Sequence, residues 1–205
     1  MPSAHSEMNI RAFFALPLKP AVVRRLADHA DSLCAHDSEG RVEWSDSDNY
    51  HLTLCFLGDI GLEQVVALEE LVFEALAGQE SFQVGLKGAE YFNVNSGLAL
   101  VAARSEPCPE LMALQRRMAQ VVRSAGLAVP ERDFTPHVTL GRLEAGRPFP
   151  CPQNQPELEL QTLADAVVLY QSKPGRNGSI YTPLFEISLG TGSQEELLSA
   201  RAQSI

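Results

Sequence analysis

Two short segments of this chain repeat one pattern, Tyr50-His51-Leu52-Thr53-Leu54 and Pro136-His137-Val138-Thr139-Leu140. Each reads histidine, apolar residue, threonine, apolar residue. An extended backbone makes sense of that pattern, because alternate side chains of a strand face the same way. His51 and Thr53 then share a polar face, while Leu52, Leu54 and Phe56 supply the apolar one. His137 and Thr139 repeat this against Val138 and Leu140. The spacing predicts two half-buried strands, over residues 51–57 and 137–143, each presenting a histidine–threonine pair. Phe56, on the alternation, falls opposite His51 and is read as a core residue.

A single copy would fit an ordinary half-exposed strand with a hydrogen-bonded histidine. The surroundings of the two copies are alike as well. Strand, helix, loop and histidine-led strand follow in that order over residues 9–57 and again over 97–143. Phe13, in the middle of the first strand, precedes His51 by 38 residues (51 − 13), and Leu100 precedes His137 by 37 (137 − 100). The chain is thus expected to form two related lobes facing each other across a cleft.

The remaining pattern fills in the lobes. Val22, Val23, Leu26, Ala30 and Leu33 recur at helical spacing behind Pro20, which suits a first helical turn. A second helix is expected over residues 62–77, closed by Gly78, and a third after Pro107 and Pro109, with Leu111, Leu114, Met118 and Val121 on one face. Residues 82–92 and 97–104 read as strands joined through Asn93-Val94-Asn95-Ser96, and residues 158–163, 166–170 and 180–189 as three more. Residues 1–189 form one bilobal domain on this reading, and residues 190–205 a polar tail.

Paired histidines suit phosphodiester chemistry without a metal. Opening a cyclic phosphodiester with water needs a base on the attacking oxygen and an acid on the leaving oxygen, in line on opposite sides of phosphorus. Histidine, with a reference pKa near ~6.5, serves as either at neutral pH. A threonine beside each one can donate a hydrogen bond to a non-bridging oxygen where charge gathers. A metal reading lacks a third ligand at a recognisable spacing, and no cofactor is expected. Cys34, Cys55, Cys108 and Cys151 lie far apart, without a zinc or disulfide framework. The net charge of −10, from 16 basic and 26 acidic residues, argues against a broad duplex-binding surface and favours a substrate held by its end. No stretch approaches the ~20 apolar residues that span a bilayer, so a cytoplasmic, monomeric protein is expected.

The chain resembles the two-histidine phosphoesterase superfamily and, within it, the RNA 2′,3′-cyclic phosphodiesterases also called 2′-5′ RNA ligases. The likeness runs from Arg11-Ala12-Phe13-Phe14-Ala15-Leu16 through Trp44 and His51-Leu52-Thr53-Leu54-Cys55-Phe56-Leu57-Gly58, then Thr135-Pro136-His137-Val138-Thr139-Leu140-Gly141-Arg142, to the segment at residues 172–181. It implies an α+β fold in which two antiparallel sheets line a central cleft and helices pack outside. It implies His51 as proton donor, His137 as proton acceptor, and Thr53, Thr139 and Arg142 on the phosphate. Lys173, Arg176 and Tyr181 would flank a glycine-rich turn beside the nucleotide.

The implied reaction opens the 2′,3′-cyclic phosphate at an RNA 3′ end, tRNA fragments and nucleotides included, to a 2′-phosphomonoester, with reversible 2′-5′ ligation in some members. Two positions depart from the pattern. Cys55 stands where many members carry a basic residue, which would remove one backbone contact. Arg142 lies an odd number of positions from His137, so a bulge or the strand end must turn it into the cleft. Two other functions use the same features: a phosphodiesterase for small cyclic nucleotides or 2′-5′ oligoadenylates, and a non-catalytic RNA-binding module.

Overall fold

A computed structural model describes residues 9–130, 133–146, 149, 157–175 and 178–190. Nine strands and three helices follow one another as β1 (Ile10–Pro17), α1 (Pro20–Cys34), β2 (Glu43–Trp44), β3 (His51–Ile60), α2 (Leu62–Ala75), β4 (Phe82–Asn93), β5 (Leu98–Ser105), α3 (Pro109–Ser124), β6 (His137–Glu144), β7 (Glu159–Ala164), β8 (Ala166–Gly175) and β9 (Gly178–Ser188). A 3-10 turn, Ser47–Asn49, leads into β3. Beyond Gly190 the polar tail lies outside the described residues, as do Arg176 and Cys151.

The helices form where the periodicity places them. Pro20 and Pro109 occupy first turns, where a missing N–H costs nothing. At the start of α2 the Gln64 side chain accepts from the Gly61 N–H at 2.9 Å, satisfying a donor that the first turn leaves open. Their apolar stripes, Val22, Leu26 and Leu33 on α1, Val65, Leu68 and Val72 on α2, and Leu111, Leu114 and Met118 on α3, all enter one core with Leu52, Leu54, Val138 and Leu140 of the strands. His29 is buried on the inner face of α1.

All strand pairs are antiparallel, in the order β7-β4-β5-β6-β3-β1-β8-β9, with β2 added against β6. The two expected sheets are the two four-stranded halves of this row. They meet at β3 and β6 through the pair Leu52↔Val138. The halves repeat one plan: β1 lies between β3 and β8, as β5 lies between β6 and β4. The duplication read from the strand–helix–strand order is therefore a duplication of pairing as well.

In the C-terminal hairpin β8 runs to Gly175 and β9 resumes at Gly178, with Ser172↔Tyr181 and Lys173↔Ile180 paired in the ladder. Lys173, beyond the expected strand at residues 166–170, is a strand residue, and Tyr181 lies in a strand as expected of residues 180–189. The extended hairpin carries Tyr181 back towards the cleft.

Candidate active site

Both histidine strands contain the same irregularity. Along β1 and β3, Phe14 pairs with Cys55 but Ala15 pairs with Thr53, which leaves Leu54 as an extra residue. Along β5 and β6, Val101 pairs with Gly141 but Ala102 with Thr139, which leaves Leu140 extra. A bulge shifts the alternation by one. Residues after it that would have faced the core face the cleft instead.

The shift brings Arg142 onto the face of His137 and Thr139, as the sequence required of it. It also overturns the reading of Phe56 as a core residue: the ring stands on the His51 face and is 51% exposed. Cys55, by the same shift, is buried against the core, where desolvation raises its thiol to about 11. Because a side chain at this position starts from the core face, the cysteine opens no gap in the cleft wall. Gly141 follows the second bulge beneath β2, and a Cβ there would run into the Val42 and Trp44 side chains.

The seam between the halves brings the motifs together. With Leu52 opposite Val138 on antiparallel strands, the register carries His51 towards Thr139 and Thr53 towards His137. The two histidines are then diagonal neighbours on one face, which an ideal ladder sets about 7–8 Å apart.

Each ring is oriented by a carbonyl two residues upstream. The Nδ1–H of His51 donates to the Asn49 carbonyl at 2.7 Å, and that of His137 to the Thr135 carbonyl at 2.7 Å. A carbonyl oxygen can only accept, so both rings carry a proton on Nδ1 and their Nε2 atoms are left for chemistry. Thr53 Oγ1 lies 3.0 Å from His51 Nε2 and, with that ring neutral, its hydroxyl donates to it.

The two environments differ. Around His51 stand Phe13 at 4.8 Å between ring centroids, Tyr181 edge-on at 5.2 Å and Tyr170 at 6.1 Å. Burial in this aromatic wall pushes the imidazole down from 6.5 to about 4; the bond to Asn49 opposes the shift, and electrostatic repulsion from Arg142 and His137 adds to it. His51 is neutral in the empty site at neutral pH. His137 has Phe92 edge-on at 5.1 Å.

Arg142 reaches across the seam, its Nη2 donating to the Tyr181 hydroxyl at 3.4 Å. The structure thus gathers His51, Thr53, His137, Thr139, Arg142 and Tyr181 on one cleft face. Lys173 is exposed further along β8. Phe13, Tyr170 and Phe92, which the sequence marks only as strand residues, pack their rings against the two histidines. The near-equal offsets of Phe13 and Leu100 from the histidines held the clue, since these two pair with Phe56 and Arg142 respectively. Among the described residues, no group of three His, Cys, Asp or Glu side chains is placed to hold a metal ion.

Known proteins share this fold. The RNA 2′,3′-cyclic phosphodiesterase of Methanothermobacter thermautotrophicus is 29% identical over 188 residues, covering 86% of this chain and 97% of its own. The Escherichia coli protein of the same description is 31% identical over 177 residues, covering 85% of this chain and 93% of its own. The crystal structure of E. coli LigT complexed with 3′-AMP matches with a TM-score of 0.71 at 25% identity, covering 89% of this chain and 99% of that one. Residues 19–175, which include both histidine strands, match the family model of the 2′-5′ RNA ligase superfamily, and the chain belongs to that family.

Proposed function

We propose that this protein opens the 2′,3′-cyclic phosphate at an RNA 3′ end to leave a 2′-phosphomonoester, by histidine acid–base catalysis. The observation that carries the proposal is the pair of histidines, in the same tautomer and on one face across the seam, with Thr53 Oγ1 3.0 Å from His51 Nε2. The names of the relatives support the substrate class.

With the cyclic phosphate between the rings, His137 Nε2 takes a proton from water as its oxygen bonds to phosphorus. The bond from phosphorus to O3′ breaks, and His51 Nε2 supplies the proton that O3′ acquires. Thr53 and Thr139 donate hydrogen bonds to the non-bridging oxygens, and Arg142 offsets their growing charge. His51 must be protonated for this role, although it is neutral in the empty site. An arriving phosphate anion favours the imidazolium and counters Arg142 and His137. Phe56 offers an exposed face on which the terminal base can stack. With an RNA 5′-hydroxyl in place of water, the same groups join two strands: O5′ gives its proton to His137 as it bonds to phosphorus, the bond to O3′ breaks with a proton from His51, and a 2′-5′ diester remains.

The deciding experiment is product analysis of RNA ending in a 2′,3′-cyclic phosphate, incubated with chelator. A 2′-phosphate product at an undiminished rate is expected. Exclusive 3′-phosphate product would refute the regiochemistry, and activity lost to chelator but restored by zinc or manganese would refute the mechanism.

A further inference from the structure

The two halves match in register, and the residues opposite the two histidines are unequal. Pro17 is the partner of His51 on β1, and Arg104 is the partner of His137 on β5. Directly opposed residues share a face, so Arg104 stands in the cleft wall beside His137. The line continues outward. Lys87 on β4 is the partner of Arg104, and Glu159 on edge strand β7 is the partner of Lys87. At about 4.8 Å per strand, Lys87 lies roughly 10 Å from His137.

Both cations are exposed, as are their partners. Arg104 Nη1 meets Glu90 Oε2 at 3.0 Å, and Lys87 Nζ meets Glu106 Oε1 at 2.7 Å. Such exposed pairs contribute little to stability. A phosphate can therefore replace either carboxylate cheaply, and an arginine binds it through a two-pronged fork.

We propose that Arg104 and Lys87 form a subsite for the sugar–phosphate backbone of single-stranded RNA, seating one or two phosphates on the 5′ side of the cyclic end. The inference rests on the reading that this end lies between His51 and His137. Glu90 and Glu106 hold the two cations until RNA displaces them, and Glu159 closes the track at the sheet edge. The preferred substrate is then a short or long oligonucleotide rather than a cyclic mononucleotide, and affinity stops growing after two upstream phosphates.

The test compares kcat/KM for a cyclic-ended RNA tetranucleotide with that for 2′,3′-cyclic AMP in Arg104→Gln, Lys87→Gln, Glu90→Gln and Glu106→Gln. The ratio of the two should fall roughly tenfold in Arg104→Gln, the scale of one hydrogen-bonded charge, and less in Lys87→Gln. It should rise in both glutamate variants. The salt dependence of the tetranucleotide KM should lose a log–log slope of about 0.7 for each cation removed.

Ion pairs that merely hold strands together would respond to either partner in the same direction, so a fall in all four variants would overturn the subsite. So would a ratio that the cation variants leave unmoved, or a wild-type protein with no preference for the tetranucleotide. A wild-type protein that opens neither substrate would instead sink the proposed function, and the subsite with it.

Discussion

Replacing His51 with glutamine should make the protein less sensitive to acid unfolding while slowing its chemistry. The folded imidazole is held at about 4 against an ordinary value of 6.5, so between these pH values the unfolded chain binds the extra proton. Stability that comes from keeping this ring neutral is complete above pH 6.5 and is lost as the pH falls towards 4. Linkage with these two values gives about 2 kcal/mol lost at pH 5 and almost nothing at pH 7.5. His51 is only half-buried, and solvent at its exposed edge reduces the figure to about 1–2 kcal/mol.

Urea unfolding of wild type and His51→Gln at pH 7.5 and pH 5.0 measures it. Taking the difference between the two proteins cancels titrations they share. The wild-type midpoint should drop further on acidification, by roughly 0.5–1 M urea if the slope is about 2 kcal/mol per molar. Inorganic phosphate at pH 5 should return part of that loss to wild type, because an anion between the histidines favours the charged ring. Equal acid sensitivity in both proteins would refute the claim that the aromatic wall desolvates His51, and with it the account of why the empty site holds a neutral ring.

Alanine at His51 or at His137 should cost roughly 10²–10⁴-fold in turnover, and the double variant far less than the product of the two, because both act on one transition state; single-turnover rates check this. Phe56→Ala should raise KM for a cyclic-ended substrate by about 5- to 100-fold, the scale of one stacked base, with the melting temperature nearly unchanged since half the ring is already in water. Gly141→Ala should lower stability by about 1–3 kcal/mol, read as a melting shift, because its methyl meets Val42 and Trp44 beneath β2.

The histidine and threonine positions were legible because each motif lies ahead of its bulge, where strict alternation still holds. The extra residues, Leu54 and Leu140, are leucines among apolar neighbours, so nothing in composition marks them. That is why Phe56 was misread, and why Arg142 needed a device the sequence could name but not locate. Phe13, Tyr170 and Phe92 went unnoticed for another reason: aromatic residues suit a strand equally well whether they line a cleft or fill a core. Arg104 closed a predicted strand and carried no motif. Its significance comes from register with His137, which only the folded pairing supplies. The helices were legible almost to the residue, since their buried stripes follow a simple period without interruption.

The fifth residue after each histidine has a consequence for direction. A pocket with true two-fold symmetry could not tell one end of a nucleotide from the other, and would accept it either way round. Here the matched positions hold an exposed ring in one half, Phe56, and a guanidinium in the other, Arg142. The scaffold is even-handed and its contents are not. On the proposed chemistry, a base drawn to the ring and a phosphate drawn to the cation give the substrate a single orientation. Two interchangeable imidazoles thereby acquire separate duties from neighbours five residues away.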